Sequence, residues 1–153
     1  MKFLLSLLFL LLWQISFSQM TFAKMKNIQK MDLSKFETYC LSRGYEFNSV
    51  TDDGIDIGLS YGKGSGLNTK YIYLYNKYRR VKKNVVEYQT GSITEYLSIK
   101  KELESTGFTQ TEASTFNGVL FKEYTNDIFL VTIATGKHPE SEKDFYQIIL
   151  ETK

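Results

Sequence analysis

MDLSKFETYCLSRGYEF, residues 31 to 47, decides the fold because its pattern recurs downstream. Leu33, Phe36 and Cys40 fall at i, i+3 and i+7, one stripe of a helix. Gly44 stops that helix, and Tyr45 opens an extended stretch. Tyr96, Ile99, Leu103, Gly107 and Phe108 repeat the arrangement, each 63 residues further on, and Glu95 matches Asp32 at the same offset. A tandem duplication of one helix-led unit is therefore expected. Asp32 is suited to cap the first helix. Ser92, followed three residues later by Glu95, reads as a capping box in which each side chain satisfies a free backbone donor. TFAKMKNIQKM, residues 21 to 31, puts Phe22, Met25 and Ile28 on one side and predicts a short extra helix before Asp32.

Beyond each main helix the period changes to that of strands. In the first half these are expected at 45–51, 55–61, 70–76 and 84–90, separated by Asp53-Gly54, GKGSGLN and a basic loop. In the second half they are expected at 108–115, 118–125, 128–135 and 144–151, with Asn117-Gly118, Asn126-Asp127 and KHPESEKD between them. A helix followed by a run of hairpins implies an α+β, two-layer sandwich: an antiparallel sheet with helices on one face. Residues 19–91 and 92–153 would form the two units, joined in one long sheet of pseudo-twofold symmetry. The single Pro139 and the lack of any linker composition point to one compact domain.

MKFLLSLLFLLLWQISFSQM opens the chain with Lys2, an apolar run from Phe3 to Trp13, and small residues before Gln19. Residues 1–18 read as a signal peptide cut between Ser18 and Gln19. The run is shorter than the ~20 residues a spanning helix needs, so no stable membrane span remains after cleavage. The expected location is exported, either periplasmic or secreted. Removing Lys2 takes the formal net charge from +2 to +1, too little for a global field that would hold nucleic acid. The remaining partners are a protein or an acidic envelope polymer, with intracellular nucleic acid excluded by compartment. Cys40 is the only cysteine, so it makes no internal disulfide; sharing the position of Leu103, it is expected in the core.

Catalytic and metal motifs are thin, and neither a cofactor nor a metal is expected. The single His138 precedes Pro139 in a loop, a poor place to orient an imidazole. One His and one Cys do not make a zinc ligand set. Ser98 three residues before Lys101 lies off the helix stripe and faces water. Gly62-Lys63-Gly64-Ser65-Gly66 precedes a strand, whereas a phosphate loop opens a helix. Asp52-Asp53-Gly54-Ile55-Asp56 lacks the ligand spacing and closing Glu of a calcium loop.

Two features stand out. In KYIYLYNKY, residues 70 to 78, Tyr71, Tyr73 and Tyr75 share one strand face while Ile72 and Leu74 share the other. The aliphatic pair is expected toward the helices and the tyrosines away from them. There the tyrosines either stabilise an exposed sheet through cross-strand pairs or form a contact surface. NKYRRVKKN, residues 76 to 84, then gathers Lys77, Arg79, Arg80, Lys82 and Lys83 around Tyr78 at the end of the tyrosine row. It reads as a solvated hairpin tip or as a docking element, and KHPESEKD in the second half carries both charge signs instead.

The leader ending in FSQ and the run MDLSKFETYCLSRGYEF resemble small exported proteins of unassigned activity from the Bacteroidota. The helix-plus-four-strand plan, taken twice, resembles the architecture of beta-lactamase inhibitor proteins. That resemblance implies binding of enzymes through an aromatic-rich sheet face. Those proteins are disulfide-bonded, and this chain departs from them in its single cysteine. The expected function is an exported, non-catalytic binding protein using the tyrosine face and the loop. The alternatives are an envelope enzyme with Asp56 or Glu123 as acid or base, and a structural accessory subunit.

Overall fold

Each apolar stripe read from the sequence lies on a helix. The computed structural model describes residues 19–52, 56–65, 69–77, 83–138 and 142–153. Helix α1 spans Phe22–Gln29, α2 Leu33–Leu41 and α3 Ile93–Ser105. Thr21 caps α1 by accepting from the Lys24 amide at 3.2 Å, and Asp32 caps α2 by accepting from the Lys35 amide at 2.8 Å. Gly44 and Gly107 follow the second and third helices with φ of 72° and 80°, left-handed values that a side chain disfavours.

At α3 the expected capping box is only half formed. Ser92 Oγ accepts from the Glu95 amide at 3.3 Å, but the Ser92 amide donates to Thr90 Oγ1 at 3.1 Å. The Glu95 carboxylate turns inward instead.

The strands are β1 Glu46–Asp52, β2 Ile57–Lys63, β3 Lys70–Lys77, β4 Lys83–Thr90, β5 Thr109–Phe116, β6 Val119–Thr125, β7 Phe129–Lys137 and β8 Asp144–Thr152. Every boundary falls within two residues of the sequence expectation. They form one eight-stranded antiparallel sheet in the order β1-β2-β3-β4-β8-β7-β6-β5. The protein is thus α+β with strands dominating, β4 and β8 meeting at the centre and β1 and β5 at the edges. Glu46 pairs with Gly62 and Asp52 with Ile57; 63 residues on, Thr109 pairs with Thr125 and Thr115 with Leu120. The register shifts between Phe47 and Ser49 in one hairpin and between Gln110 and Glu112 in the other, again 63 apart. Asn117 and Gly118, both at positive φ, close the β5–β6 hairpin.

A single core joins the buried residues of all three helices to alternate residues of the sheet. Phe36 meets Tyr61 edge-on at 5.5 Å, and Phe22 meets Phe108 at 5.2 Å. Cys40 is fully buried there, as expected, and burial pushes its thiol up to about 12. Helix α1 packs on β4 and β8, where the two halves of the sheet join. Glu102 of α3 accepts from the Phe22 and Ala23 amides at 2.8 and 2.9 Å, so one helix caps the start of another. Among the described residues no helix is long and apolar enough to cross a membrane. Residues 1–18, where a signal peptide is expected, lie outside the described residues.

Candidate binding face

Ile72 and Leu74 are fully buried in the core, which sends Tyr71, Tyr73 and Tyr75 out of the opposite face of β3. All three are half-buried. Their support comes from β2, where Gly62 pairs with Tyr71, Ser60 with Tyr73 and Gly58 with Tyr75. A Cβ on Gly58 would stand 2.5 Å from the Tyr75 ring, and one on Gly62 would stand 3.2 Å from the Tyr71 ring. These rings therefore lean across β2 into space that only glycine leaves empty. Between them Ser60 is 2% exposed, its hydroxyl 2.8 Å from Ser49 Oγ and 2.9 Å from Asn48 Nδ2.

Tyr73 and Tyr75 are almost parallel, 3° apart with centroids at 5.9 Å, an offset stack. Tyr71 continues the row at 6.3 Å and 36°. On the other side Tyr73 pairs with Glu87 of β4. Glu87 Oε1 accepts from Gln89 Nε2 and Gln147 Nε2, both at 2.7 Å, so two amides fix this carboxylate beside the ring. Burial, with help from Glu87 and the neighbouring tyrosines, pushes the Tyr73 phenol up to about 12; burial and then Glu87 raise Tyr75.

Lys77 and Lys83 pair at the far end of β3 and β4, bringing the basic stretch next to the tyrosine row along the chain. Tyr78, Arg79, Arg80 and Lys82 lie outside the described residues. Asp53-Gly54 and Pro139 lie outside them as well.

The other sequence candidates are scattered. Asp56 sits just before β2, while Glu123 lies on β6 directly across from Glu112 of β5. Ser98 and Lys101 are exposed on α3. His138 closes the β7–β8 loop, its amide donating to the Lys143 carbonyl at 2.8 Å. No cluster of three or more metal-ligating side chains occurs among the described residues.

A second polar centre was invisible in the sequence. Glu95 is 2% exposed, and its carboxylate accepts from Lys70 Nζ at 2.6 Å, Tyr88 Oη at 2.8 Å and Thr90 Oγ1 at 3.0 Å. Lys70, Thr90, Gly91 and Ser92 line a cavity of about 240 Å³ beside it. A buried charge demands such partners. Tyr88 answers with a raised pKa, from burial first and from Glu95 second. This arrangement anchors α3 to β3 and β4. The sequence did hold one readable clue to the tyrosine face: Gly58-Leu59-Ser60-Tyr61-Gly62 leaves small residues at the alternate positions that pair with the tyrosines.

No protein-family model, curated protein or solved structure matches the chain.

Proposed function

We propose that the chain is an exported, non-catalytic binding protein that holds its partner on the face of Tyr71, Tyr73 and Tyr75 and with the loop Lys77–Lys83. The observation that carries this reading is the tyrosine row itself. Three aromatic side chains stand outside the core in one row, Tyr73 stacked with Tyr75 and tilted against Tyr71, with Tyr75 seated over Gly58 and Tyr71 over Gly62. Rigid, amphipathic tyrosines give contact area at low entropic cost, and Tyr and Arg are enriched in binding hot spots. Along the chain the row is followed at once by five cations, Lys77, Arg79, Arg80, Lys82 and Lys83. Local positive charge accelerates encounter with an acidic group, and salt weakens the effect.

The wider reading is a tandem duplication of a helix-plus-four-strand unit with the helices on one face. The shared 63-residue offset of helix stripe, hairpin register and register shift supports it. It keeps the likeness to beta-lactamase inhibitor proteins, and to small exported Bacteroidota proteins, as a guide to architecture. The partner is a protein or an acidic envelope polymer, met in the periplasm or outside the cell after loss of residues 1–18.

A pull-down from the envelope fraction of the native organism tests this. The bait is the protein beside a variant with Arg79, Arg80, Lys82 and Lys83 changed to Ser. A partner captured by the natural loop and lost with the variant makes the loop a docking element. Equal capture by both reduces it to a solvated hairpin tip and leaves the tyrosines as the contact. No capture by either bait defeats the reading.

A further inference from the structure

The face that carries the tyrosines also carries carboxylates. Following the register from Tyr73, the row passes through Glu87, Ile149, Thr132, Glu123 and Glu112, crossing the sheet from β3 to β5. Lys63, Lys70 and Lys122 take the other positions, in register with the core residues. Lys77 and Lys83 pair beyond Tyr75, at the ends of β3 and β4. Among the described residues, the charges in this row are therefore carboxylates: Glu87, Glu123 and Glu112.

We infer that this face docks a cationic segment of a protein partner, with an Arg or Lys head over the Tyr73 ring and against Glu87. The inference rests on the tyrosine face being the binding surface, and it chooses a protein over an acidic polymer as its occupant. A uniform polyanion laid along the row would meet Glu87 and then Glu123 and Glu112. A cation gains from both neighbours at once. The ring face attracts it through the quadrupole, and the carboxylate, already oriented by Gln89 and Gln147, accepts a charge-assisted hydrogen bond. Further along the row, Glu112 and Glu123 oppose each other directly, a like-charge pairing that disfavours the sheet and that a second cationic side chain relieves.

The test uses purified protein and two labelled peptides of equal length, oligo-arginine and oligo-glutamate, followed by fluorescence anisotropy at low and high salt. Glu87→Gln keeps the shape and removes the charge. Glu104→Gln, on exposed α3, makes the same charge change away from the face. Oligo-arginine is expected to bind, with affinity falling about tenfold in Glu87→Gln and hardly at all in Glu104→Gln. Tyr73→Leu should weaken it too, without changing the circular dichroism. Equal effects of Glu87→Gln and Glu104→Gln would overturn the inference. So would tighter binding of oligo-glutamate; if that binding also vanished on changing Lys77 and Lys83 to Ser, the broader binding reading would survive. Failure of both peptides overturns this inference alone, since envelope capture judges the broader reading separately.

Discussion

The hairpin β2–β3 and the hairpin β6–β7 face the core in the same way and face outward in opposite ways. Tyr61 pairs with Ile72 in one and Tyr124 with Val131 in the other, all four buried. On the outer side the bulk changes strand at two of the three pairings. Gly58, Ser60 and Gly62 lie beneath Tyr75, Tyr73 and Tyr71, whereas Phe121, Glu123 and Thr125 pair with Ala134, Thr132 and Leu130. Each pairing sets a large residue against a smaller one, but only β3 lines up three aromatic rings. Packing the core restrains one face of a strand and leaves the other available for a surface of its own. The helix starts differ in a similar way. Asp32 is an exposed cap paired with Lys35 at 2.9 Å, while Glu95, at the matching offset, is a buried carboxylate with three donors.

The largest effect should come from that second contrast. Glu95→Ala leaves Lys70 and Tyr88 without their acceptor and should cost about 3 kcal/mol or more. Asp32→Ala should cost clearly less, since its carboxylate stands in water. Urea unfolding of both variants measures this, and similar losses would erase the distinction between the two helix starts.

Gly58→Ala comes next. The added methyl group meets the Tyr75 ring, so the ring must swing away, at a cost of about 1–3 kcal/mol. Adding Tyr75→Ala should recover part of that loss. A double-mutant cycle with no coupling would mean that Tyr75 does not rest on Gly58.

A smaller effect belongs to the tyrosine row at alkaline pH. The Tyr73 pKa is raised from 10.0 to about 12, so the folded state holds its proton where the unfolded chain releases it. Its contribution is full below the unfolded pKa and is lost as pH rises through the folded one. Stability should therefore decline across that interval, and less steeply in Tyr73→Phe. Tyrosinate absorbance and unfolding curves together check the sign; stability rising with pH in this window would contradict it. Cys40 gives the mildest case. Buried and raised to about 12, it should ignore a thiol reagent at neutral pH until the chain unfolds, and rapid labelling of native protein would place it at the surface.

Much of the fold was legible because it rests on local periodicity. The stripe of Phe22, Met25 and Ile28 gave α1, and the alternation in KYIYLYNKY gave both faces of β3. Turn residues such as Asn117-Gly118 placed the strand ends. What stayed hidden depends on contacts between distant segments. Nothing around Glu95 announces that Lys70, 25 residues earlier, will reach its carboxylate. With the Glu95 carboxylate drawn inward by Lys70 and Tyr88, the Ser92 amide turns to Thr90, leaving the capping box half made. The companions of the tyrosines, Glu87 and the amide of Gln147 60 residues beyond it, become neighbours only through strand register and the central β4–β8 pairing. The tyrosine row could be read as a candidate site, but its carboxylate could not.

The proposal at stake is that the tyrosine row on the outer side of β3 is a binding surface. Its most direct test gives β3 the outer residues of β7: Tyr71→Leu, Tyr73→Thr and Tyr75→Ala together. Envelope capture by this triple variant would be compared with capture by the natural protein, with circular dichroism confirming the fold of each. The expected result is a folded variant that no longer retains the partner. A folded variant that captures it undiminished would contradict the claim and leave the tyrosines as sheet packing alone.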